Sequence, residues 1–308
     1  MKRIKPDKTF FLFLAFALVF TVFTGCVSTR TPENVQPSVQ AEPPYTAELF
    51  QKTDTLRVHF LDVGQGDSIL VQFPNSKNML VDAGPPEAAN RIINYLRNNG
   101  VSTVNYLVAT HPHADHIGSM PAVIKSFPAG EVFMPGVTTN TQIFRDLLAA
   151  IKSEGLQITK AKAGVVILEE GNLSAFFLAP CKDSYESLNN YSAVIKIEWG
   201  DTAFLLTGDA EEQSEFEMLV SNVETPKADV LKVGHHGSQS STSVAFLGAV
   251  SPKYAVISAA KNNDYNHPHR ETIEKLDKAG ITTLRTDKSG TVVFAADESG
   301  TIIYTTRQ

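Results

Sequence analysis

The sequence predicts one α/β domain that runs from Thr55 to the C-terminus. Three observations support this class. Short runs rich in β-branched and aromatic residues alternate with helical patterns over the whole region. The first three of these runs are separated only by turns, which is typical of an antiparallel meander. No linker interrupts the chain after Asp54, so one folded unit is favoured over two.

The predicted strands are short apolar runs bounded by turn residues. Gly64-Gln65-Gly66 and Pro74-Asn75-Ser76 separate the first three, because glycine, proline and asparagine supply the backbone angles that turns need. The predicted strands are Leu56–Leu61, Ser68–Phe73, Asn78–Asp82, Tyr106–Ala109, Val165–Leu168, Leu173–Leu178, Ala193–Trp199, Ala203–Thr207, Val230–Val233, Tyr254–Ser258, Thr282–Leu284, Thr291–Ala295 and Ile302–Thr305.

Four segments show helical spacing of apolar residues. Glu87–Asn98 places Ile92, Ile93 and Leu96 on one face and is ended by Gly100. The other predicted helices are Thr141–Ser153, Glu211–Val220 and Glu271–Ala279.

The first 25 residues have the composition of a secretory signal peptide. A basic start from Lys2 to Lys8 precedes an apolar run, Phe10–Phe23, which is too short to span a bilayer comfortably. The ending Phe23-Thr24-Gly25-Cys26 resembles a bacterial lipobox, whose cysteine becomes the lipidated first residue. The alternative is a plain signal peptide or membrane anchor with an incidental cysteine.

Residues 26–54 have the composition of a tether. Prolines lie among Ser, Thr, Gln and Glu without apolar periodicity, so this stretch cannot bury enough surface to order itself. We therefore expect three regions: a signal peptide (1–25), a lipidated Cys26 with a disordered tether (26–54), and a folded domain (55–308). The protein would be secreted across the cytoplasmic membrane of a bacterium, held by its lipid and facing outward.

Charge and cysteine content exclude several classes. Of 308 residues, 43% are hydrophobic and 19% are charged, which excludes a disordered or fibrous chain, and two cysteines are too few for a disulfide framework. The net charge is −6. Removal of the signal peptide takes away four basic residues and one acidic residue, which leaves 23 and 32 and a net charge of −9. A protein that coats DNA through a broad basic surface is therefore not expected.

Seven of the eight histidines fall into three short clusters. The first, His111-Pro112-His113-Ala114-Asp115-His116, follows the apolar strand Tyr106–Ala109, and we expect a loop that turns its side chains onto one point. Imidazoles and a carboxylate at this spacing suit zinc, iron or manganese. The alternative is a histidine-rich surface loop. The eighth histidine, His59, lies inside a strand and is expected to be structural.

Three further segments carry candidate site residues. Thr207-Gly208-Asp209 ends an apolar strand, where the carboxylate is placed to bridge two metals, although Gly-Asp also begins many helices as a cap. Gly234-His235-His236-Gly237 also ends a strand, and its glycines allow close backbone approach. Asn266-His267-Pro268-His269 precedes a helix and fits either the rim of a site or a structural loop.

The set of motifs resembles the metallo-β-lactamase superfamily. His111–His116 matches its His-x-His-x-Asp-His signature, and 60–68, 206–209 and 231–238 are similar to the branch that contains the C-terminal hydrolase domain of the ComEC DNA-uptake competence proteins. The resemblance covers about Thr55 to the C-terminus and implies an αββα four-layer sandwich with a two-metal site at one edge of the sheets. The competence channel has many membrane helices, so we expect a free-standing version here.

The resemblance implies two divalent metal ions, zinc or manganese. His111 and His113 would hold one, Asp115 and His116 the second with a histidine from the His235-His236 pair, and Asp209 would bridge. We assign His235 to the metal. Asp82 would support the ligand loop from behind.

The remaining expected roles concern catalysis and substrate. The segment 188–192 lacks the further histidine that many relatives use for the first metal, and Asn190 and Ser192 are expected to face the site. Asp115, Asp209 and His236 are the predicted catalytic residues, with His236 contacting phosphate or protonating the leaving group. The predicted substrate contacts also include Ser238, Ser241 and His267.

The resemblance and the compartment together favour a phosphodiesterase or nuclease that acts on DNA. Three alternatives stay open: an esterase for phosphodiester groups of cell-wall polymers, such as phosphorylcholine or teichoic-type chains; a β-lactamase-like amide or thioester hydrolase; and a non-catalytic lipoprotein that binds metal or DNA. The acidic net charge favours action on a phosphodiester at a local metal site over tight coating of long DNA.

Overall fold

Apolar strands and amphipathic helices build the part of the chain that the computed structural model describes, residues 49–50, 52–221 and 223–307. The expected signal peptide and Cys26 lie outside the described residues, as does most of the expected tether. The domain reaches further toward the N-terminus than Thr55, because Leu49 is buried and its carbonyl accepts a hydrogen bond from Thr55 Oγ1 (3.2 Å).

The described strands form two sheets. They are β1 (Leu56–Phe60), β2 (Ile69–Gln72), β3 (Asn78–Val81), β4 (Val104–Val108), β5 (Ala129–Met134), β6 (Ile158–Lys160), β7 (Val166–Glu170), β8 (Leu173–Ala179), β9 (Val194–Trp199), β10 (Thr202–Leu206), β11 (Val230–Lys232), β12 (Tyr254–Ile257), β13 (Thr282–Arg285), β14 (Thr291–Ala296) and β15 (Ile302–Arg307).

Helices connect the parallel strands. They are α1 (Ala89–Asn98), α2 (Ala114–Ile117), α3 (Met120–Ser126), α4 (Gln142–Ser153), α5 (Glu212–Val220), α6 (Val244–Val250), α7 (Arg270–Lys278) and α8 (Thr286–Ser289). Short 3₁₀ turns occur at Pro86–Ala88, Leu188–Tyr191 and Gly234–Gly237.

The two sheets repeat one plan. The first has the order β15-β14-β1-β2-β3-β4-β5-β6 and the second β13-β12-β11-β10-β9-β8-β7. Each begins as an antiparallel meander and becomes parallel in its second half, from β3 to β6 and from β10 to β13. Loops that leave the carboxyl ends of adjacent parallel strands emerge at the same edge of a sheet, and this places the site.

Three separate apolar clusters define the layers. The middle cluster lies between the sheets and includes Phe60 of the first and Phe204 of the second. The outer face of the first sheet packs on α1, α3 and α4. The outer face of the second packs on α5, α6 and α7. Each fully buried large apolar side chain contributes about 1.5–3 kcal/mol. The order helix, sheet, sheet, helix confirms the predicted αββα sandwich.

His59 lies in β1 as predicted and is buried. Its Nδ1 is 2.9 Å from the Tyr95 hydroxyl. Burial, with the nearby charges of Arg307 and Arg57, lowers the pKa of His59 to about 3. Within the described ranges, no helix has the length and apolar content needed to cross a bilayer.

Candidate metal centre

The predicted ligands meet at the carboxyl ends of parallel strands in both sheets. His111 follows β4, Asp209 follows β10, and the pair His235-His236 follows β11. Because the two sheets face each other, these ends bring residues far apart in sequence to one point.

The His111–His116 segment is half loop and half helix. His113 is extended, and its carbonyl accepts hydrogen bonds from the backbone N–H groups of His116 (3.1 Å) and Ile117 (3.0 Å), which closes the turn α2. The prediction of a loop throughout is therefore wrong for the second half. The helical turn carries Asp115 and His116 toward the same point as His111.

Four side chains form what we call the deep group: Asp115, His116, Asp209 and His236. One ligand atom of each lies within 4.8 Å of the others. His116 Nε2 is 3.3 Å from Asp209 Oδ2, and His236 Nε2 is 3.2 Å from Asp115 Oδ2 and 3.5 Å from Asp209 Oδ1. All but Asp115 are buried. Two imidazoles and two carboxylates are a donor set that suits a divalent transition metal.

Three side chains form what we call the outer group: His111, His113 and Asp209. Their ligand atoms also lie within 4.8 Å of one another. His111 Nε2 is 2.9 Å from His113 Nδ1 and 3.7 Å from Asp209 Oδ2. Asp209 belongs to both groups, as the bridging role implied by the resemblance requires.

Asp67, Asp82 and His116 also bring ligand atoms within 4.8 Å of one another. Their partners are already supplied by protein, however. Asp67 Oδ2 lies 2.9 Å from the ammonium of the fully buried Lys232, and Asp82 accepts hydrogen bonds from Thr110 N (2.8 Å) and Oγ1 (2.6 Å). We therefore regard this set as support for the deep group.

Asp82 lies behind His116. Its Oδ2 is 2.7 Å from His116 Nδ1, so Nε2 of the same ring points into the deep group. Such a carboxylate–histidine pair fixes the ring and raises its basicity as a ligand. His236 is held in the same way, because its Nδ1 donates to the Ser258 carbonyl (3.0 Å).

The left-handed backbone of Gly234–Gly237 separates the two adjacent histidines. His235 has φ 49° and His236 has φ 54°, conformations that non-glycine residues rarely adopt. Their ring centroids are 6.1 Å apart at 68°. His236 belongs to the deep group, whereas His235 lies outside both groups with its Nε2 3.7 Å from Asp209 Oδ2. The geometry therefore gives His236 the ligand position in the deep group, where the sequence had placed His235.

Ser192 and Asn190 support the cluster from inside the protein. Ser192 is fully buried, and its Oγ accepts a hydrogen bond from the backbone N–H of Asp209 (3.0 Å). Asn190 is 4% exposed, and its Oδ1 accepts from the N–H groups of Glu211 and Ser214 at the start of α5. The sequence predicts substrate contacts for both residues. Both are buried in this structure, and their role toward substrate stays a prediction.

The pKa values of the cluster residues depend on the charges of their neighbours. Burial alone would raise the pKa of Asp209, but the positive charges of His116 and His236 outweigh it and hold this pKa well below its usual range. Burial opposes protonation of His116, yet the carboxylates of Asp209, Asp115 and Asp82 raise its pKa well above the usual value. Burial and the charge of His116 lower the pKa of His111. Without a cation the deep group thus holds protons that metal binding must release.

Two buried atoms fit a bound cation. His116 Nε2 and Asp209 Oδ1 are fully enclosed and find no hydrogen-bond partner among the described residues. Other enclosed atoms, His59 Nε2 among them, also lack a partner. His116 Nε2 and Asp209 Oδ1 differ from His59 Nε2 in lying among the ligand atoms of the deep group, where a bound metal ion would satisfy both. The residues present therefore fit the two-metal site that the resemblance implies.

The groups open into a cleft of about 340 Å³. His267, predicted from sequence, lines it together with Gln65 and Tyr265, which sequence reasoning missed. Ser238 is 6% exposed with its Oγ 3.0 Å from Ser240 Oγ, and Ser241 is 1% exposed, so neither hydroxyl faces the cleft openly.

A signal for Gln65 was present in the Gly-Gln-Gly turn. Gly66 has φ 135°, and a Cβ there would collide with the carbonyl oxygen of Asp115. Only glycine therefore lets the loop after β1 lie directly on the ligand turn. The Asp67 N–H donates to the same carbonyl (3.2 Å), so this loop also fixes the backbone of Asp115.

Comparison with known proteins identifies relatives. The family model of the metallo-beta-lactamase superfamily matches residues 61–261. ComE operon protein 3 of Bacillus subtilis is 35% identical over 248 residues, which cover 74% of this chain and 31% of that protein. Recombination protein 2 of Haemophilus influenzae is 31% identical over 76% of this chain and 28% of that protein. This chain thus spans about a third of the length of the curated relatives it matches.

Solved structures share the fold at low sequence identity. The diiron β-hydroxylase CmlA from Streptomyces venezuelae superposes with a TM-score of 0.50 and 14% identity, covering 75% of this chain and 52% of that one. At this identity the similarity concerns the arrangement of sheets and helices alone.

Proposed function

Because this chain belongs to the metallo-β-lactamase superfamily, we propose that it hydrolyses phosphodiester bonds at a two-metal centre formed by the deep and outer groups. One observation carries the proposal: the buried carboxylate of Asp209 lies within 3.7 Å of four histidines, His111, His116, His235 and His236. A single carboxylate surrounded in this way is arranged to be shared by two cations.

We assign zinc or manganese to both positions, since imidazole and carboxylate donors suit either ion. Two divalent ions supply a water nucleophile at neutral pH and a clamp for the oxygens of an in-line displacement. Asp115, His116 and His236 would hold one ion, and His111 and His113 the other, with Asp209 between them.

His235 completes the outer group in this proposal. The outer group has one imidazole fewer than many relatives, and His235 Nε2 lies 3.7 Å from Asp209 Oδ2, the oxygen that His111 Nε2 also approaches at 3.7 Å. The opposite nitrogen, Nδ1, is 3.2 Å from Ser240 Oγ and 3.5 Å from Glu211 Oε1, which orients the ring toward Asp209. These contacts are of the kind that position metal-binding histidines.

DNA is the proposed substrate because the relatives include Competence protein ComA of Neisseria gonorrhoeae, which is 31% identical over 73% of this chain. The acidic net charge is compatible with this substrate, since two divalent cations would sit where the phosphate must approach. The chain would then act at single phosphodiester bonds and bind long DNA weakly.

The test is a panel of three substrates. The purified, metal-loaded chain is assayed on linear DNA, a bis-aryl phosphodiester and a chromogenic cephalosporin, with Asp209→Asn as the inactive control. Hydrolysis of the first two supports the proposal. Turnover of the cephalosporin alone would favour a β-lactamase-like enzyme. Hydrolysis of the bis-aryl phosphodiester but not of DNA would favour a cell-wall esterase. Metal binding without any hydrolysis would leave a binding protein.

We also propose that the domain is held by a lipid on Cys26 at the outer face of the cytoplasmic membrane. The basic start, the apolar run Phe10–Phe23 and the lipobox-like ending support this location. Labelling of living cells with a radioactive fatty acid should mark the protein, and Cys26→Ser should remove the label. Equal labelling of the variant would contradict the proposal.

A further inference from the structure

A row of aromatic rings leads from solvent to the metal centre. Tyr265 is 64% exposed, and its ring lies against that of His267 with centroids 5.6 Å apart and planes at 23°. The His267 ring is in turn 5.4 Å from that of His235 and 6.1 Å from that of His236. One face of an exposed tyrosine is thus presented beside the cleft, two rings away from Asp209.

The loop that carries Tyr265 is held in place from within. Asn263 Oδ1 accepts hydrogen bonds from the backbone N–H groups of Tyr265 (3.1 Å) and His267 (2.9 Å), and its Nδ2 donates to the carbonyl of Ala260 (3.0 Å). The Ala260 N–H donates to Gln65 Oε1 (3.2 Å), which ties this loop to the one that lies on Asp115. The exposed tyrosine therefore stands on an ordered loop that is fixed to the ligand segment.

From this arrangement we propose that Tyr265, backed by His267, is a stacking platform for an unpaired nucleobase, and that the substrate is a single-stranded nucleic acid. The inference rests on the proposed phosphodiesterase function and names its substrate class. Stacking on aromatic side chains is the sequence-tolerant way in which proteins hold single strands. A base in a duplex has both faces covered and cannot use the platform without unstacking.

A sugar ring of a cell-wall polymer is the rival occupant, because sugars also pack on tyrosine. Recognition of a sugar needs polar side chains that reach its hydroxyls. The amide of Asn263, two residues before Tyr265, spends both its oxygen and its nitrogen within the loop. We commit to a base because the proposed reaction cleaves a nucleic acid, and the abasic strand used below tests the sugar directly.

The experiment compares Tyr265→Ala with the wild-type chain on two strands. One is a single-stranded oligodeoxythymidylate, and the other has the same phosphates and abasic sugars throughout. Affinity is measured by fluorescence anisotropy and cleavage by kcat/KM. We expect Tyr265→Ala to weaken binding and lower kcat/KM about tenfold on the base-bearing strand. It should have no effect on the abasic strand. Tyr265→Phe, which keeps the ring, should restore wild-type values.

The matched control is Phe216→Ala, which removes an exposed aromatic side chain (62%) of α5 that is not among the residues lining the cleft. It should bind and cleave both strands as the wild type does.

Three outcomes would overturn the platform. The first is an equal loss of affinity and kcat/KM on both strands, which would indicate a sugar or phosphate contact. The second is no loss on either strand. The third is cleavage of duplex DNA as efficient as that of the single strand and equally sensitive to Tyr265→Ala. Cleavage that is insensitive to Tyr265→Ala removes the platform and leaves the phosphodiesterase. Binding that depends on Tyr265 without cleavage of either strand keeps the platform and removes the phosphodiesterase.

Discussion

The deep and outer groups share Asp209 but differ in what holds their other ligands. In the deep group, His116 and His236 are fully buried, and each has its second nitrogen fixed, by Asp82 at 2.7 Å and by the Ser258 carbonyl at 3.0 Å. In the outer group, His111 is also buried, with Nδ1 3.2 Å from Thr110 Oγ1, but His113 is half-buried and its Nδ1 is turned toward His111 Nε2 at 2.9 Å. His235 has 23% of its side chain exposed.

This difference changes the free energy that the ligand side chains must spend to reorganise when a metal ion binds. Ligands whose orientation is already fixed need to reorganise little when a cation binds, whereas half-exposed rings must give up water and rotamer freedom. We therefore expect the deep group to bind its ion more tightly and to retain it longer. The outer ion should exchange, and its occupancy should limit activity at low metal concentration.

The largest effect is expected where the two groups meet. Asp209→Asn keeps the shape of the side chain but removes the charge between four imidazoles. The loss of affinity at both positions should exceed the roughly 10–100-fold that loss of a supporting partner costs. The number of bound ions per chain, measured by elemental mass spectrometry after gel filtration, should fall below one. Asp183→Asn, a carboxylate 71% exposed on the surface, is the matched control. Two retained ions in Asp209→Asn would refute the shared role.

The next effect separates the groups. His236→Ala should abolish the tight phase of a calorimetric zinc titration, and His235→Ala should abolish the weak phase, because the rings belong to different groups. If both variants lose the same phase, the division between deep and outer is wrong. If His235→Ala keeps both phases and loses only turnover, His235 acts on the substrate, as a proton donor, and not on the metal.

A smaller loss of metal affinity is expected from substitution of Asp82, which holds His116 of the deep group. Asp82→Asn preserves the size of the side chain and an oxygen for Thr110, but it removes the charge that orients His116. The deep ion should bind roughly 10–100-fold more weakly, while the outer ion is unchanged. Competition with a fluorescent zinc chelator measures both affinities. A uniform loss at the two positions would mean that Asp82 supports the whole loop and not one ligand.

Much of this arrangement follows from sequence, and the misses have local causes. Six-residue strands such as β9 and β14 are recognisable because β-branched and aromatic residues are frequent in them. β6 was missed because its three residues are all exposed, and α3 and α6 because seven residues span barely two turns. Their identity depends on tertiary packing, which a single sequence does not display.

The residues of the site were predictable from sequence, but the orientation of their side chains was not. The histidine and aspartate motifs identify the cluster, since few other environments accommodate so many imidazoles together. The sequence cannot decide between His235 and His236, because the left-handed backbone at both residues sets which ring turns inward. The burial of Ser192 and Asn190 was not evident from sequence for a similar reason, since proximity to the ligands does not reveal which side of the cluster a side chain occupies.

The last prediction concerns His59, whose titration changes the acid stability of the fold independently of proton competition at the two groups. The folded-state pKa of His59 is about 3, whereas the unfolded value is near 6.5. Between these values the unfolded chain binds a proton that the folded chain refuses, so stability falls as the pH drops from 6.5 toward 3. At pH 5 this amounts to about 2 kcal/mol.

His59→Gln removes the titrating group and can keep a hydrogen bond to Tyr95. Its free energy of unfolding in urea, measured on metal-free protein, should drop about 2 kcal/mol less between pH 7 and pH 5 than that of the wild type, whatever the substitution costs at pH 7. With that slope removed, acid-induced loss of metal from the variant reports on the two groups, and the two ions should leave at different pH values, because the pKa of His116 is raised whereas that of His111 is lowered. An unchanged slope in His59→Gln would mean that His59 gains its proton within the fold, and simultaneous release of both ions would remove the distinction between the groups.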